Sequence, residues 1–333
     1  MICCHSLRRL AVAASSAAVI AAGCSPASGQ VSTWIGNGPP GAHVYAIALD
    51  RNRPGVVYTG TATGGVFKSM DRGAHWQAAS SGLRNLHVSA LALDPSDTRI
   101  VYSGTSSGVF RSDNGGASWC LAGLATSAVL SIAVDPIDPL RVYAGTETGI
   151  YSTSDGGGSW VLSGLHNTAV YAILVDPANS TTLYAGARAG GIFKSTDESR
   201  HWAASEAGIP RALTIYSLAY EPSTATLWAG GSGGLLFKTT SAGAYWIPVQ
   251  MTSTSNSVFA VALEPSHAGT IFVGTQSDGV FRSEDGGSTW AEAGLNNISV
   301  FSLVFDSTAP VLYAGTNFGG VFSVDPRRAG IIH

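Results

Sequence analysis

The chain has 333 residues, 45% hydrophobic and 12% charged, with a net charge of −3. That is enough apolar material for a large core. The acidic balance, with no Lys/Arg run or aromatic-interleaved basic patch, excludes nucleic acid as a partner.

Residues 1–30 differ from the rest. Arg8 and Arg9 precede an Ala-rich apolar run from Leu10 to Ala22, then Gly23, Cys24 and a Ser/Pro/Gly spacer. The run reads as a secretory signal peptide, too short for the roughly 20 residues of a spanning helix. Ala21-Ala22-Gly23-Cys24 resembles a bacterial lipobox, which implies lipidation at Cys24. Ala21 stands where Leu is commonest, and ordinary cleavage near Ala27 is the alternative. The expected location is therefore outside the bacterial cytoplasm: a periplasmic or cell-surface lipoprotein, or a secreted protein, touching membrane only through Cys24.

Beyond the spacer, tryptophans recur at Trp34, Trp76, Trp119, Trp160, Trp202, Trp246 and Trp290, at intervals of 41 to 44 residues. Each interval holds four short apolar runs separated by Gly, Asp, Pro and Ser, which is strand and turn chemistry. The first run ends in an acid, at Asp50, Asp94, Asp135, Asp176, Glu221, Glu264 and Asp306. Pro follows five of the seven and is expected to stop the strand. The second carries an aromatic and, two residues on, a glycine: Tyr58/Gly60, Tyr102/Gly104, Tyr143/Gly145, Tyr184/Gly186, Trp228/Gly230, Phe272/Gly274 and Tyr313/Gly315. That glycine reads as a tight-turn residue. The third has its aromatic at Phe67, Phe110, Tyr151, Phe193, Phe237, Phe281 and Phe322, and the Trp opens the fourth.

Four-stranded units at this period predict an all-β fold, a seven-bladed β-propeller of antiparallel blades. The first repeat begins at a fourth strand, around Trp34, and the last ends after a third. The N-terminal strand should thus complete the last blade and remove an exposed edge. The expected domains are 1–30 (signal peptide, lipobox and spacer), 31–326 (propeller) and 327–333 (C-terminal tail). Cys120, the one cysteine inside the repeats, is expected to be a small core residue.

Between third and fourth strands recurs Ser/Thr-x-Asp-x-Gly-x-x-Trp. Three copies are complete: Ser69, Asp71, Gly73, Trp76; Thr153, Asp155, Gly157, Trp160; and Ser283, Asp285, Gly287, Trp290. Three drift: Ser112, Asn114, Gly116, Trp119; Ser195, Asp197, Trp202 with Ser199 for Gly; and Thr239, Gly243, Trp246 with Ser241 for Asp. A seventh begins as Ser323 and Asp325, with Arg327 in the glycine place. Over residues 32–325 the pattern resembles the Asp-box (BNR) repeat of sialidases, sortilin-type receptors, xyloglucanase-type glycoside hydrolases and photosystem II assembly-factor-like proteins. The residues themselves read as structural: Asp and Ser/Thr accept backbone N–H bonds within the turn, and Trp fills space between blades.

Function is expected on the opposite rim, in the variable fourth-to-first connections and second-to-third hairpins. Candidate binding residues there are Arg84, His87, His166, Asn167, Arg188, Arg211, Asn256, Gln276, Asn297, Asn317 and Phe318, beside His43, Asn85 and Asn296. The mixture of amide, imidazole and guanidinium suits a protein or glycan partner, and Arg84, Arg188 and Arg211 are the candidates to converge on the channel mouth. Tyr45, Tyr171, Tyr216, Phe259 and Phe301 share one place on the first strand. They are expected to pack between blades, with lining of the channel as the alternative.

Glycoside hydrolysis usually needs two carboxylates facing one bond. The rim offers mainly Glu147 and Asp278, three blades apart, with Glu206 further out. No unit exceeds 44 residues, so no insertion builds a cleft. The expected arginine triad of a sialidase is not preceded by its usual segment before the first box. The eight His residues are scattered, and no metal or cofactor is expected. The reading is an exported, monomeric, non-catalytic binding or assembly scaffold, closest in its compact blades to the assembly-factor-like group. A glycoside hydrolase of sialidase or xyloglucanase type is the alternative.

Overall fold

The computed structural model describes residues 33–251 and 256–328. Cys24 and the whole signal segment lie outside the described residues. Seven four-stranded antiparallel sheets span 44–78, 88–123, 129–164, 170–204, 215–249, 258–292 and 300–324, the last completed by Ile35–Gly36. Blades are numbered 1 to 7 in that order. The first strand of each blade touches the first strand of the next, and Val300–Asp306 of blade 7 meets Val44–Leu49 of blade 1. A ring so closed places the first strands innermost, around an axial channel, and the short fourth strands on the perimeter. The fold is a seven-bladed β-propeller.

Closure follows the expected course: Ile35 pairs with Ser323 and Gly36 with Phe322. The N–H groups of Asn37 and Gly38 both donate to the Val321 carbonyl. The Trp34 indole N–H reaches the Ala293 carbonyl of blade 6 at 2.7 Å. Trp119 and Trp160 repeat that bond to Ala79 and Ala122, the carbonyl three residues past the previous Trp, at 2.7 and 3.1 Å. Trp34, Trp119, Trp160 and Trp246 are thus links between blades as well as space fillers, whereas Trp202 and Trp290 bond within their own boxes.

The second-strand glycines do not make turns, as the sequence reading had it. All seven sit in mid-strand, and none has a left-handed backbone. A β-carbon on Gly60 would lie 2.4 Å from Val88 Cγ1, and one on Gly186 2.6 Å from Ile215 Cγ2; Gly104, Gly145, Gly230, Gly274 and Gly315 meet Val129, Val170, Val258, Val300 and Val44 in the same way. Those seven β-branched residues are fully buried. Glycine is needed because the first strand of the next blade packs directly onto this backbone.

The first-strand acids also do more than mark a proline. Asp50, Asp94 and Asp135 each accept two turn N–H groups through one carboxylate oxygen, at 2.8–3.1 Å. The acid itself ends the strand by satisfying the turn.

The boxes close on themselves. Ser69 Oγ accepts the Gly73 N–H at 2.8 Å and donates to Asp71, whose carboxylate accepts the His75 N–H at 2.9 Å. Asn114 and Ser241, which replace Asp, accept the N–H of Ser118 and Tyr245 in the same way. Each box then binds the preceding blade through the carbonyl after its Asp place. Tyr58 OH and Lys68 Nζ both donate to Gly115, Tyr102 and Arg111 to Gly156, and Tyr184 and Lys194 to Ala242. Blades 3 and 7 have Ser152 and Ser323 where the other five carry Lys or Arg, and in blade 3 Arg141 instead pairs with Glu198 of box 4.

Two expectations are corrected. Ser323 lies opposite Tyr313 as Lys68 lies opposite Tyr58, so the last box is displaced by one: Val324, not Ser323, holds the box-serine place. Cys120 is exposed on the perimeter strand Cys120–Gly123 rather than in the core.

Backbone and hydroxyl donors lower the box acids. The His75 N–H, the His201 ring and the Thr289 hydroxyl are the largest influences on Asp71, Asp197 and Asp285, each brought down to about 2. A folded-state value below the unfolded one means the unfolded chain binds more protons, so stability rises with pH across this range. The contribution should be complete above about pH 4 and lost as pH falls through about 2. Denaturant midpoints measured at low and neutral pH are expected to draw closer in an Asp71→Asn/Asp197→Asn/Asp285→Asn variant, with Asp97 and Asp155 keeping part of the difference; an unchanged acid slope would refute the assignment.

Candidate functional site: the aromatic collar at the channel mouth

Box turns and first-to-second turns share one rim, joined by bonds such as Gly115 N–H to Arg99 O and Gly156 N–H to Leu140 O. The other rim carries the variable loops, and these are tied down by one repeated bond. The first hairpin residue donates its N–H to the carbonyl of the residue preceding the inner strand: Ala62 to His43, Ser106 to His87, Glu147 to Ala128, Arg188 to Ala169, Ser232 to Thr214, Gln276 to Ser257 and Asn317 to Ser299. Variable side chains are therefore displayed from fixed backbone positions.

Immediately inside that tether, every first strand has a β-bulge. The ladder slips by one residue at Tyr45, Ser89, Leu130, Tyr171, Tyr216, Phe259 and Phe301. A bulge re-aims its side chain. Five of the seven are aromatic, and they touch one another from blade to blade. Centroid separations are 5.3 Å for Tyr171–Tyr216, 5.0 Å for Tyr216–Phe259, 5.6 Å for Phe259–Phe301 and 5.1 Å for Phe301–Tyr45. All five are half-buried. The buried interblade space is filled by the preceding Val or Ile, and the half-buried rings meet their counterparts on neighbouring blades as a collar at the channel mouth. The arc ends at His87, 5.4 Å from Tyr45, and at Arg188, which donates to Tyr171 OH at 2.7 and 3.1 Å. Ser89 and Leu130 interrupt it on blades 2 and 3.

The other candidates divide into two groups. Most amides brace the loops. Asn256 Nδ2 lies 2.9 Å from both carboxylate oxygens of Asp278, Asn317 Oδ1 accepts the Ser299 N–H, Asn85 holds the His87 N–H and Ser107, and Asn296 donates to Glu292. Asn167 and Asn297 are turn residues with φ of 58° and 63°. The sequence reading passed over Ser299, which joins three loops by donating to Gln276 O as well; its signal was the tether position preceding the inner strand.

Exposed and directed outward are Arg84, His87, Arg188, Arg211, Gln276 and Phe318. The three arginines do not converge. Arg188 alone joins the collar, and neither Arg84 nor Arg211 forms a hydrogen bond or ion pair among the described residues. His166 lies apart, in a groove between blades 3 and 4 with Arg141 and Glu198. Glu147 and Asp278 stand on the hairpins of blades 3 and 6 and do not meet, and Asp278 is held by Asn256. Among the described residues no three His, Cys, Asp or Glu side chains form a metal-binding group.

No family model matches the chain, and no curated protein matches it. Among solved structures it is similar to the GH74 xyloglucanase from Xanthomonas campestris, with TM-score 0.71 and 20% identity over 88% of this chain and 53% of that one. It is also similar to the extracellular domain of the BT4673 two-component system from B. thetaiotaomicron, with TM-score 0.71 and 18% identity over 88% of this chain and 39% of that one. A third is YCF48 bound to D1 peptide, with TM-score 0.70 and 14% identity over 90% of this chain and 99% of that one. The chain spans about half the length of the xyloglucanases it matches. At these identities the likeness is one of fold.

Proposed function

We propose that this protein is a non-catalytic binding or assembly scaffold, engaging a protein or glycan partner through the rim that carries the collar. The observation behind this reading is the collar itself: an arc of five half-buried aromatic rings at the mouth of a rigid ring, with no two carboxylates facing each other across it among the described residues. Concave apolar surfaces ringed by a few polar groups are where propellers and other rigid folds hold ligands. Similarity to YCF48 with its bound D1 peptide supports a binding role. The xyloglucanase likeness keeps hydrolysis as the second reading, although the match spans only about half of that enzyme.

We further propose export from a bacterial cell, with Cys24 as the lipidation site or with secretion after cleavage. Among the described residues no helix is long and apolar enough to cross a membrane.

The test is turnover by the purified chain on sialosides, xyloglucan and β-glucans, with a Glu147→Gln/Asp278→Asn variant beside it. No turnover is expected from either. Hydrolysis by the wild type that disappears in the variant would replace the scaffold reading with an enzymatic one and identify the acids.

A further inference from the structure

We propose that the collar and Phe318 together form the hot spot for a protein partner, which inserts a single apolar side chain from a loop or extended segment into the channel mouth. This rests on the scaffold reading and specifies the class of partner.

The size of the mouth sets what enters. Five rings stand 5.0–5.6 Å apart, and seven places continued at that spacing would lie on a circle ~12 Å across. Taking off the rings' own thickness leaves roughly 5–8 Å of clear passage. One side chain fits; a helix, at about 10 Å, does not.

Phe318 is the second observation. It stands at the tip of the blade 7 hairpin, 69% exposed, with φ of 60°. A bulky residue is seldom held in that left-handed region without compensation. Here the conformation is imposed by its neighbours: Asn317 is bonded on both sides to Ser299, and His43 meets the Phe318 ring edge-on at 4.1 Å. The fold thus holds a large apolar face out in water beside His43, at the rim of blade 7.

The polar groups favour protein over sugar. Four of the rim amides that could hydrogen-bond a glycan, Asn85, Asn256, Asn296 and Asn317, are already engaged within the rim. Exposed groups on this rim include Arg84, Arg188, Arg211, His87, Gln276 and Phe318, of which Arg188 joins the collar. Aromatic side chains at the centre with arginine around them is the composition of protein interface hot spots. The seven hairpin tethers also make the surface pre-organised, which lowers the ordering cost of association.

A random-peptide display library selected on the full-length protein supplies the probes, and the enriched peptides are titrated against wild type, Phe318→Ala, Phe301→Ala and Arg99→Ala on the opposite rim. Peptides sharing one Leu, Phe, Tyr or Trp are expected, with at least about tenfold weaker binding to Phe318→Ala and Phe301→Ala and no change for Arg99→Ala. Phe318 is exposed, so its variant should keep the wild-type melting temperature and separate docking from folding. Three results would overturn the inference: no enriched peptide, peptides indifferent to both phenylalanines, or cello- and xylo-oligosaccharides binding at the collar in place of peptide. None of these touches the turnover assay, which judges the scaffold reading separately.

Discussion

Gly274→Val is expected to destabilise the ring by about 3 kcal/mol. Its new β-carbon would lie 2.6 Å from Val300 Cγ1, 2.9 Å from Val300 Cβ and 3.0 Å from the Val300 carbonyl. Val300 is fully buried, and its strand pairs with the second strand of blade 7 and packs against the first strands of blades 6 and 1, so the neighbour cannot move aside. Two blades would have to separate, and the closed ring resists that everywhere else. Gly286→Ala is the control. It has φ of 69° and open space around its β-carbon, so it should cost only the backbone preference, about 1 kcal/mol. Urea midpoints of the two variants test the difference. If Gly274→Val unfolds with the wild type, the close interblade approach is not what keeps glycine at this place.

Trp246→Ala should be the most damaging of the box-tryptophan substitutions, by about 3–5 kcal/mol. The Trp246 side chain has no exposed surface and packs with Tyr184, Ile192, Ile209 and Phe237 between blades 4 and 5. Its indole N–H lies 3.3 Å from Ser205 Oγ, the place where other blades offer a carbonyl. Truncation leaves a cavity in a rigid wall that cannot collapse onto it. Trp160 is only half-buried, so Trp160→Ala should cost less. Equal losses from the two in denaturant titrations would mean that depth of burial does not rank these residues.

Much of the architecture was legible because its causes are local. A strand needs alternating apolar residues, a turn needs Gly, Asp or Ser, and repetition of the unit supplies the number of blades. The tolerance of the box was legible for the same reason: Asn114 and Ser241 keep an oxygen where Asp71 has one, and an acceptor is all the turn requires. The misreadings came where a residue's role lies in another blade. Gly274 looks like a turn residue in isolation, and its true constraint, Val300, is 26 residues away. Cys120 alternates like a core residue, but it lies on the last strand of its sheet. Ser323 matches a box serine by letter, whereas pairing with Tyr313 puts it one place earlier.

The candidate site divides similarly. Its rim could be predicted, since loops that vary between repeats stand out against those that do not. Which side chains are available could not, because Asn256, Asn317 and Asn85 are withdrawn by partners on neighbouring loops. The aromatic register was visible, but its direction depended on a bulge, and a single extra residue in a ladder leaves no distinct mark in composition.

By itself, the sequence determined the all-β class, the seven units, the internally bonded boxes and the closure of the ring by the N-terminal strand. Each of these follows from short-range chemistry repeated at a fixed period. Only the tertiary structure decided that the mid-strand glycines are interblade contacts, that five aromatic rings meet as a collar, and that Phe318 is held outward while Asn85, Asn256 and Asn317 are engaged within the rim. Those outcomes depend on distances between residues one blade or more apart, which exist only once the ring has closed.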